Sequence, residues 1–186
     1  NATIKYDEKL NKNTLRLESA GSNIWGIKEA TLPEKAVATE FSFNVRVDSG
    51  DFSGVNRFYI YADYTDNNNY QCFQFNRNKQ GGWMCIGATC VDGVYTGTGC
   101  TVPDLDGIDF ERWVSVNIVY SETKISVMLS QMDDAEIACG FAATRRCKTA
   151  SPAISPAMSF FTTQFLSSLL VSGWDIKLKK GEFVLD

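Results

Sequence analysis

Apolar and polar side chains alternate with a period of two along much of the chain. Over residues 36–48, Val37, Thr39, Phe41, Phe43, Val45 and Val47 fall on one face; Ala38, Glu40, Ser42, Asn44, Arg46 and Asp48 fall on the other. Successive side chains of a strand point to opposite faces, so the pattern predicts a long strand with one buried and one wet side. Similar runs predict strands at 14–18, 24–29, 58–64, 70–76, 82–87, 112–120, 124–130, 157–163 and 169–179. The segments between them are rich in Gly, Asn and Asp, as in 48–51, 65–69 and 79–82, which suits turns. No capped helical period stands out, and residues 131–138 come nearest to a short helix or turn. Ten regularly spaced strands without alternating helices predict an all-β fold, an antiparallel two-sheet sandwich or jelly roll. Residues 1–186 show no repeat, low-complexity tract or linker and are expected to form a single domain.

Strand parity assigns faces. Phe58, Ile60 and Ala62 should point inward, leaving Arg57, Tyr59, Tyr61 and Asp63 outside. Gln71, Phe73 and Phe75 should point inward, with Tyr70, Cys72, Gln74 and Asn76 outside. Met84 and Ile86 should be inside and Trp83 and Cys85 outside. A hairpin turn over 76–82 would set position 72 opposite position 85.

Composition narrows the chemistry. The 186 residues carry 18 basic and 22 acidic side chains, a net charge of −4, with 44% apolar residues and no histidine. Without imidazole there is no Ser-His-Asp or Cys-His machinery, no histidine-bound zinc and no histidine general base. The acidic balance gives no footprint for nucleic acid or an anionic membrane, and no apolar window reaches the roughly 20 residues of a membrane span.

Six cysteines, Cys72, Cys85, Cys90, Cys100, Cys139 and Cys147, contain no C-x-x-C pair. Their even number in loop-like sequence favours disulfides over free thiols, and hence an oxidising compartment. Parity and the 76–82 hairpin favour Cys72–Cys85; sequence proximity favours Cys90–Cys100 and Cys139–Cys147. Other pairings among Cys72, Cys85, Cys90 and Cys100 stay open. Asn1 heads an N-x-T glycosylation sequon, and an opening residue other than Met suits a mature chain. The expected setting is secreted or on the extracellular face of the cell.

Several passages resemble the strands of concanavalin A-like sandwiches, above all laminin G-like modules. They are Phe41-Ser-Phe-Asn-Val-Arg-Val47 followed by Ser53-Gly54 and Arg57-Phe58, then Arg112-Trp-Val-Ser-Val-Asn-Ile118, Lys124-Ile-Ser-Val-Met-Leu129, Met158-Ser-Phe-Phe161 and Val171-Ser-Gly-Trp-Asp-Ile-Lys-Leu178. The likeness runs over about residues 14–180 and departs from the pattern in the cysteine-rich stretches 85–100 and 139–147. It implies a ligand lying across a concave sheet, and calcium at a rim.

Asn44, Arg46, Arg57, Tyr59, Tyr61, Tyr70, Gln74 and Trp83 form the candidate ligand face, with flat rings for sugars and fixed donors for hydroxyls. The bland alternative is ordinary wet-face strand residues. As a second reading, the resemblance would cast Tyr59, Tyr61, Arg57 and Gln74 in polysaccharide lyase roles, although the paired Arg-Glu and Gln-x-His lyase elements are absent. The E-x-D-x-x-E carboxylates of a glycoside hydrolase are absent too. Calcium could use Asp63, Asp66, Asn67 and Asn68, or Asp104, Asp106 and Asp109; solvated turns explain both groups as well. The basic segment 144–148 could grip an anionic glycan. The apolar run 160–171 reads as two core strands around Gln164, or as a patch of Leu166, Leu169 and Leu170. These residues describe a binding module for a glycan or an extracellular protein, with no cofactor required. Its rivals are the lyase and an adhesive ectodomain with no small-ligand site.

Overall fold

The structure, a computed structural model, describes residues 2–18, 38–48, 56–77, 81–145 and 168–178. These residues form eleven strands and no helix: β1 (Ala2–Asp7), β2 (Lys12–Glu18), β3 (Ala38–Asp48), β4 (Asn56–Asp66), β5 (Asn69–Arg77), β6 (Trp83–Val91), β7 (Val94–Val102), β8 (Val114–Tyr120), β9 (Lys124–Gln131), β10 (Asp134–Thr144) and β11 (Ser168–Leu178). All pairs are antiparallel, in a seven-stranded sheet of order β1-β2-β11-β3-β8-β9-β10 and a four-stranded sheet of order β4-β5-β6-β7. The all-β, two-sheet expectation holds. The expected strands at 24–29 and 157–163, Asn1, Cys147 and residues 160–167 of the apolar run lie outside the described residues; Leu169 and Leu170 fall in β11.

The sheets meet face to face over one core. Phe41, Phe43, Val45 and Val47 of β3 enter it from one side and Phe58, Ile60, Phe73 and Phe75 from the other, as parity predicts. The segment 103–113 between β7 and β8 adds Leu105, Ile108 and Phe110, all buried. Phe110 sits edge-on to Phe58, Phe75 and Trp83, with centroids 4.9, 5.2 and 5.1 Å away.

Three strands escape the periodicity. β1 is an edge strand with Ile4 and Tyr6 exposed, and β7 leaves residues 94–97 exposed on both faces. Residues 131–138 are neither helix nor simple turn: the chain reverses at Met132–Asp133 and β10 begins with a bulge between Asp134 and Ala138.

Strand β6 has the opposite parity to that expected. Phe75 pairs with Cys85 and Arg77 with Trp83, so position 72 faces Ala88, three residues past Cys85. An odd shift turns every side chain over. Trp83 and Cys85 therefore enter the core while Met84 and Ile86 are half-buried outside. Burying the indole removes far more apolar surface from water than burying Met84 would. Gly87 is required here, because a Cβ would overlap Thr98 Oγ1 and stand 3.1 Å from the Cys100 Cβ.

The register also corrects the disulfides. Cys72 lies on the outer face of the four-stranded sheet with Tyr61 and Ala88, whereas Cys85 and Cys100 belong to the core. Cys90, paired with Tyr70, is on that same outer face. Cys72–Cys85 and Cys90–Cys100 would each have to cross a sheet, and Cys139 has its expected partner outside the described residues. Cys72, Cys85, Cys90, Cys100 and Cys139 are buried free thiols. Burial pushes the Cys72 thiol up to about 12 and raises Cys85, Cys100 and Cys139. The native protein should thus alkylate slowly at these five positions at pH 8, and rapidly once denatured without reductant. Peptide mapping that recovers a Cys72–Cys85 or Cys90–Cys100 crosslink would contradict this register.

A bulge at Ala62 inverts the end of β4. Tyr61 pairs with Cys72 but Asp63 pairs with Gln71, so Asp63 turns inward rather than outward. There its carboxylate accepts from Arg145 Nε at 3.2 Å, while Gln71 Nε2 donates to the Thr144 carbonyl at 3.0 Å. These contacts latch the four-stranded sheet to the end of β10. Arg145 is thereby committed to the interior instead of gripping an anionic ligand; 146–148 lie outside the described residues. Burial raises the Asp63 pKa, and the charge and hydrogen bond of Arg145 oppose that without cancelling it. The folded state therefore holds this proton more tightly than the unfolded chain does. Stability from this group is greatest at low pH and declines as pH rises from the ordinary carboxylate value through the raised one. Arg145→Ala, which leaves the carboxylate buried alone, should cost about 3 kcal/mol in denaturant melts at pH 7. Asp63→Asn should cost less and flatten the acid-side dependence.

Candidate functional site

One end of the seven-stranded sheet carries a cavity of about 390 Å³ lined by Lys9, Leu10, Arg46, Glu111, Arg112, Trp113, Met132 and Asp133. Its floor follows from register. Val45 pairs with Val114 and Val114 with Gln131, so the next residues, Arg46, Trp113 and Met132, come side by side on the outer face. The Arg46 guanidinium lies 5.0 Å from the Trp113 ring centroid, an attraction of cation to ring quadrupole.

Two buried side chains hold the walls. Gln131, 2% exposed, accepts from Asp109 N at 3.0 Å and donates to the carbonyls of Trp113 at 3.0 Å and Asp109 at 3.3 Å. It fixes the start of β8 and the loop before it. Asp7 does the same for the β1–β2 turn: one oxygen accepts from Lys9 N and Leu10 N at 3.0 and 3.1 Å, and the other binds Arg46 at 3.1 Å. Arg112 bridges Asp133 at 2.9 Å and Asp109 at 3.7 Å, and Glu111 is held by Arg77 at 2.6 Å. The site thus offers pre-positioned N–H donors and carboxylate acceptors beside the apolar Leu10 and Met132.

The structure divides the ligand face expected from sequence. Asn44 and Arg46 stand on the outer face of the seven-stranded sheet, and only Arg46 lines the cavity. Tyr59, Tyr61, Tyr70 and Gln74 lie on the outer face of the other sheet, across the core. Trp83 is in that core, 1% exposed. Arg57 falls in β4, and its side chain lies outside those described. Tyr61 is itself buried, packed edge-on to Tyr70 at 4.9 Å over Cys72 and Ala88. Gln74 donates to Asn76 Oδ1 at 2.6 Å. Burial and the neighbouring Cys72 raise the Tyr70 phenol, which disfavours tyrosinate chemistry there.

The acidic groups considered for calcium cap turns. Asp66 accepts from Asn68 N and Asn69 Nδ2, Asp104 from Asp106 N, and Asp109 from Glu111 N, while Asp63 is taken by Arg145. Among the described residues no three carboxylates or thiols converge as a metal site.

Sequence reasoning missed Lys9, Leu10, Glu111, Arg112, Trp113, Met132 and Asp133. One signal was available: a tryptophan just before a strand, in the charged string Asp109-Phe-Glu-Arg-Trp113. The β1–β2 turn and the reversal at 132–133 carry no mark of a site.

No family model matches the sequence, and no curated protein matches it. Among solved structures, the chain is similar to xylan β-1,4-xylosidase from Bacillus halodurans C-125, with TM-score 0.58 and 11% identity over 88% of this chain and 32% of that one. It is similar to the alginate lyase from Klebsiella pneumoniae, with TM-score 0.54 and 8% identity over 95% and 84% of the two chains. A functionally unknown protein from Saccharomyces cerevisiae gives TM-score 0.53 and 10% identity over 96% and 93%. The chain spans about a third of the xylosidase. At such identities the likeness establishes a shared β-sandwich fold.

Gln131→Glu keeps the shape but cannot donate to the Trp113 and Asp109 carbonyls. It should lower stability by about 2 kcal/mol, the cost of stranding buried partners. It should also change the tryptophan fluorescence of the folded protein, since Trp113 loses its anchor; an unchanged melt would remove Gln131 as the positioning residue.

Proposed function

We propose that the chain is a binding module of concanavalin A-like type that takes a glycan in the cavity at the end of the seven-stranded sheet. The observation that carries this reading is Arg46, laid over Trp113 and bound by Asp7, at the floor of a walled cavity. A sugar ring is apolar on its faces and hydroxylated at its rim. Leu10 and Met132 suit the first, and the fixed guanidinium and carboxylate groups suit the second. That the fold is shared with a xylosidase and an alginate lyase supports a glycan-directed role.

Calorimetric titration against a panel of oligosaccharides tests it. Arg46→Ala should weaken binding of the preferred sugar at least tenfold, about 1.4 kcal/mol. Arg46→Lys should also weaken it, because a point charge does not reproduce the planar fork. Wild-type affinity in both variants, with their melts unchanged, would overturn the site.

A further inference from the structure

We infer that this cavity is the terminal subsite of a longer site running down the outer face of the seven-stranded sheet, and that its ligand is an uncharged oligosaccharide rather than a uronate or sulfated chain. The inference rests on the glycan reading above and narrows it.

Charge balance carries the first half. Among the described residues, the lining and its ion-pair partners hold four cations, Lys9, Arg46, Arg77 and Arg112, and four carboxylates, Asp7, Asp109, Glu111 and Asp133. Each arginine is joined to at least one of those carboxylates, and each carboxylate to an arginine. An anionic ligand would demand cationic charge that Asp7, Asp109, Glu111 and Asp133 already offset, and it would stand against those carboxylates. Lys9 is exposed, and a solvated ammonium contributes little to an ion pair. Hydroxyl groups make no such demand. They donate to carboxylate oxygens and accept from N–H groups that the ion pairs already hold in place.

The second half comes from the neighbouring rows of side chains. Next to the Arg46–Trp113–Met132 row, the register aligns Asn44, Ser115 and Ser130 across β3, β8 and β9. Beyond them come Ser42, Asn117 and Met128, with Asn117 Nδ2 donating to Ser42 Oγ at 2.8 Å and Glu40 Oε1 at 2.7 Å. All of these are half-buried except Met128, which is exposed. Successive rows are about 6.8 Å apart and strands about 4.8 Å, so short hydroxyls and amides pave a strip that opens directly from the cavity. Over β3, β8 and β9 the two rows carry no charge, with Asp175 of β11 in register with Ser42 at their border; the first charge met along β3 is Glu40, already engaged by Asn117. A long ligand can thus leave the cavity along β3, β8 and β9 without meeting an unpaired charge on these side chains.

The test is calorimetry on the whole chain with two ladders of oligosaccharides from one to six units, one neutral pentose or hexose and one uronate. Neutral affinity should rise several-fold with length, and the matched uronates should bind roughly tenfold more weakly, a 1.4 kcal/mol difference. Raising salt from 20 to 200 mM should change neutral binding less than about twofold, because no charges are neutralised on association. Asn44→Asp, a half-buried position whose fold is checked by melting, should cut affinity for the longer neutral members about fivefold and spare the shortest. Uronates binding as well as neutral sugars, or Asn44→Asp leaving the long members unaffected, would overturn the inference while keeping the glycan reading. No binding in either ladder would overturn both.

Discussion

Phe110 is the side chain on which both core and cavity depend. It arrives from a segment between two strands rather than from a sheet, and it meets Phe58, Phe75 and Trp83 edge-on at the end of the sandwich. Full burial of such a ring contributes roughly 1.5–3 kcal/mol, with edge-to-face contacts adding to it. Its carbonyl accepts from Val47 N at 2.7 Å, which ties the plug to the end of β3. Two residues along the chain the same segment must leave the core, and there it presents Arg112 and Trp113 to the outer face. The plug and the cavity wall are two sides of one eleven-residue connection.

This coupling explains why so little of the site was legible beforehand. Period-two alternation reports a residue's face, and it placed Phe41, Phe43, Phe58, Phe73 and Phe75 correctly. It says nothing of which sheet a strand joins. Arg46 and Tyr59 alternate outward alike, yet they end on opposite sides of the molecule, because β3 belongs to one sheet and β4 to the other. Trp83 shows the other failure. With apolar residues at 83, 84, 85 and 86 the strand has two admissible faces, and the Phe75–Cys85 register chose between them. Asp63 was misplaced by a bulge, a backbone event without a composition signature.

The cysteines follow from the same register. Spacing in sequence suggested bridges, but β5 and β6 place Cys72 and Cys85 on opposite faces of one sheet. In this structure the thiols behave as small apolar side chains filling both faces. Cys85 and Cys100 pack in the main core, and Cys72 beside Tyr61 in the smaller cluster.

Burial has one further consequence for chemistry. Lacking histidine, the chain would need a carboxylate, phenol, thiol or lysine amine to trade protons near neutral pH. The structure moves Cys72, Cys85, Cys100, Cys139, Tyr70 and Tyr120 upward, in each case chiefly through desolvation. A thiol or phenol shifted that way is a weaker source of thiolate or phenolate than the same group in water. Asp63 moves upward as well, but its partner is Arg145 at a buried latch between the sheets, on the side of the core away from the cavity floor. The cavity, by contrast, is assembled from guanidinium and carboxylate groups joined in ion pairs. Ion pairs of this kind hold N–H donors and carboxylate oxygens in fixed places, where hydroxyl groups can meet both.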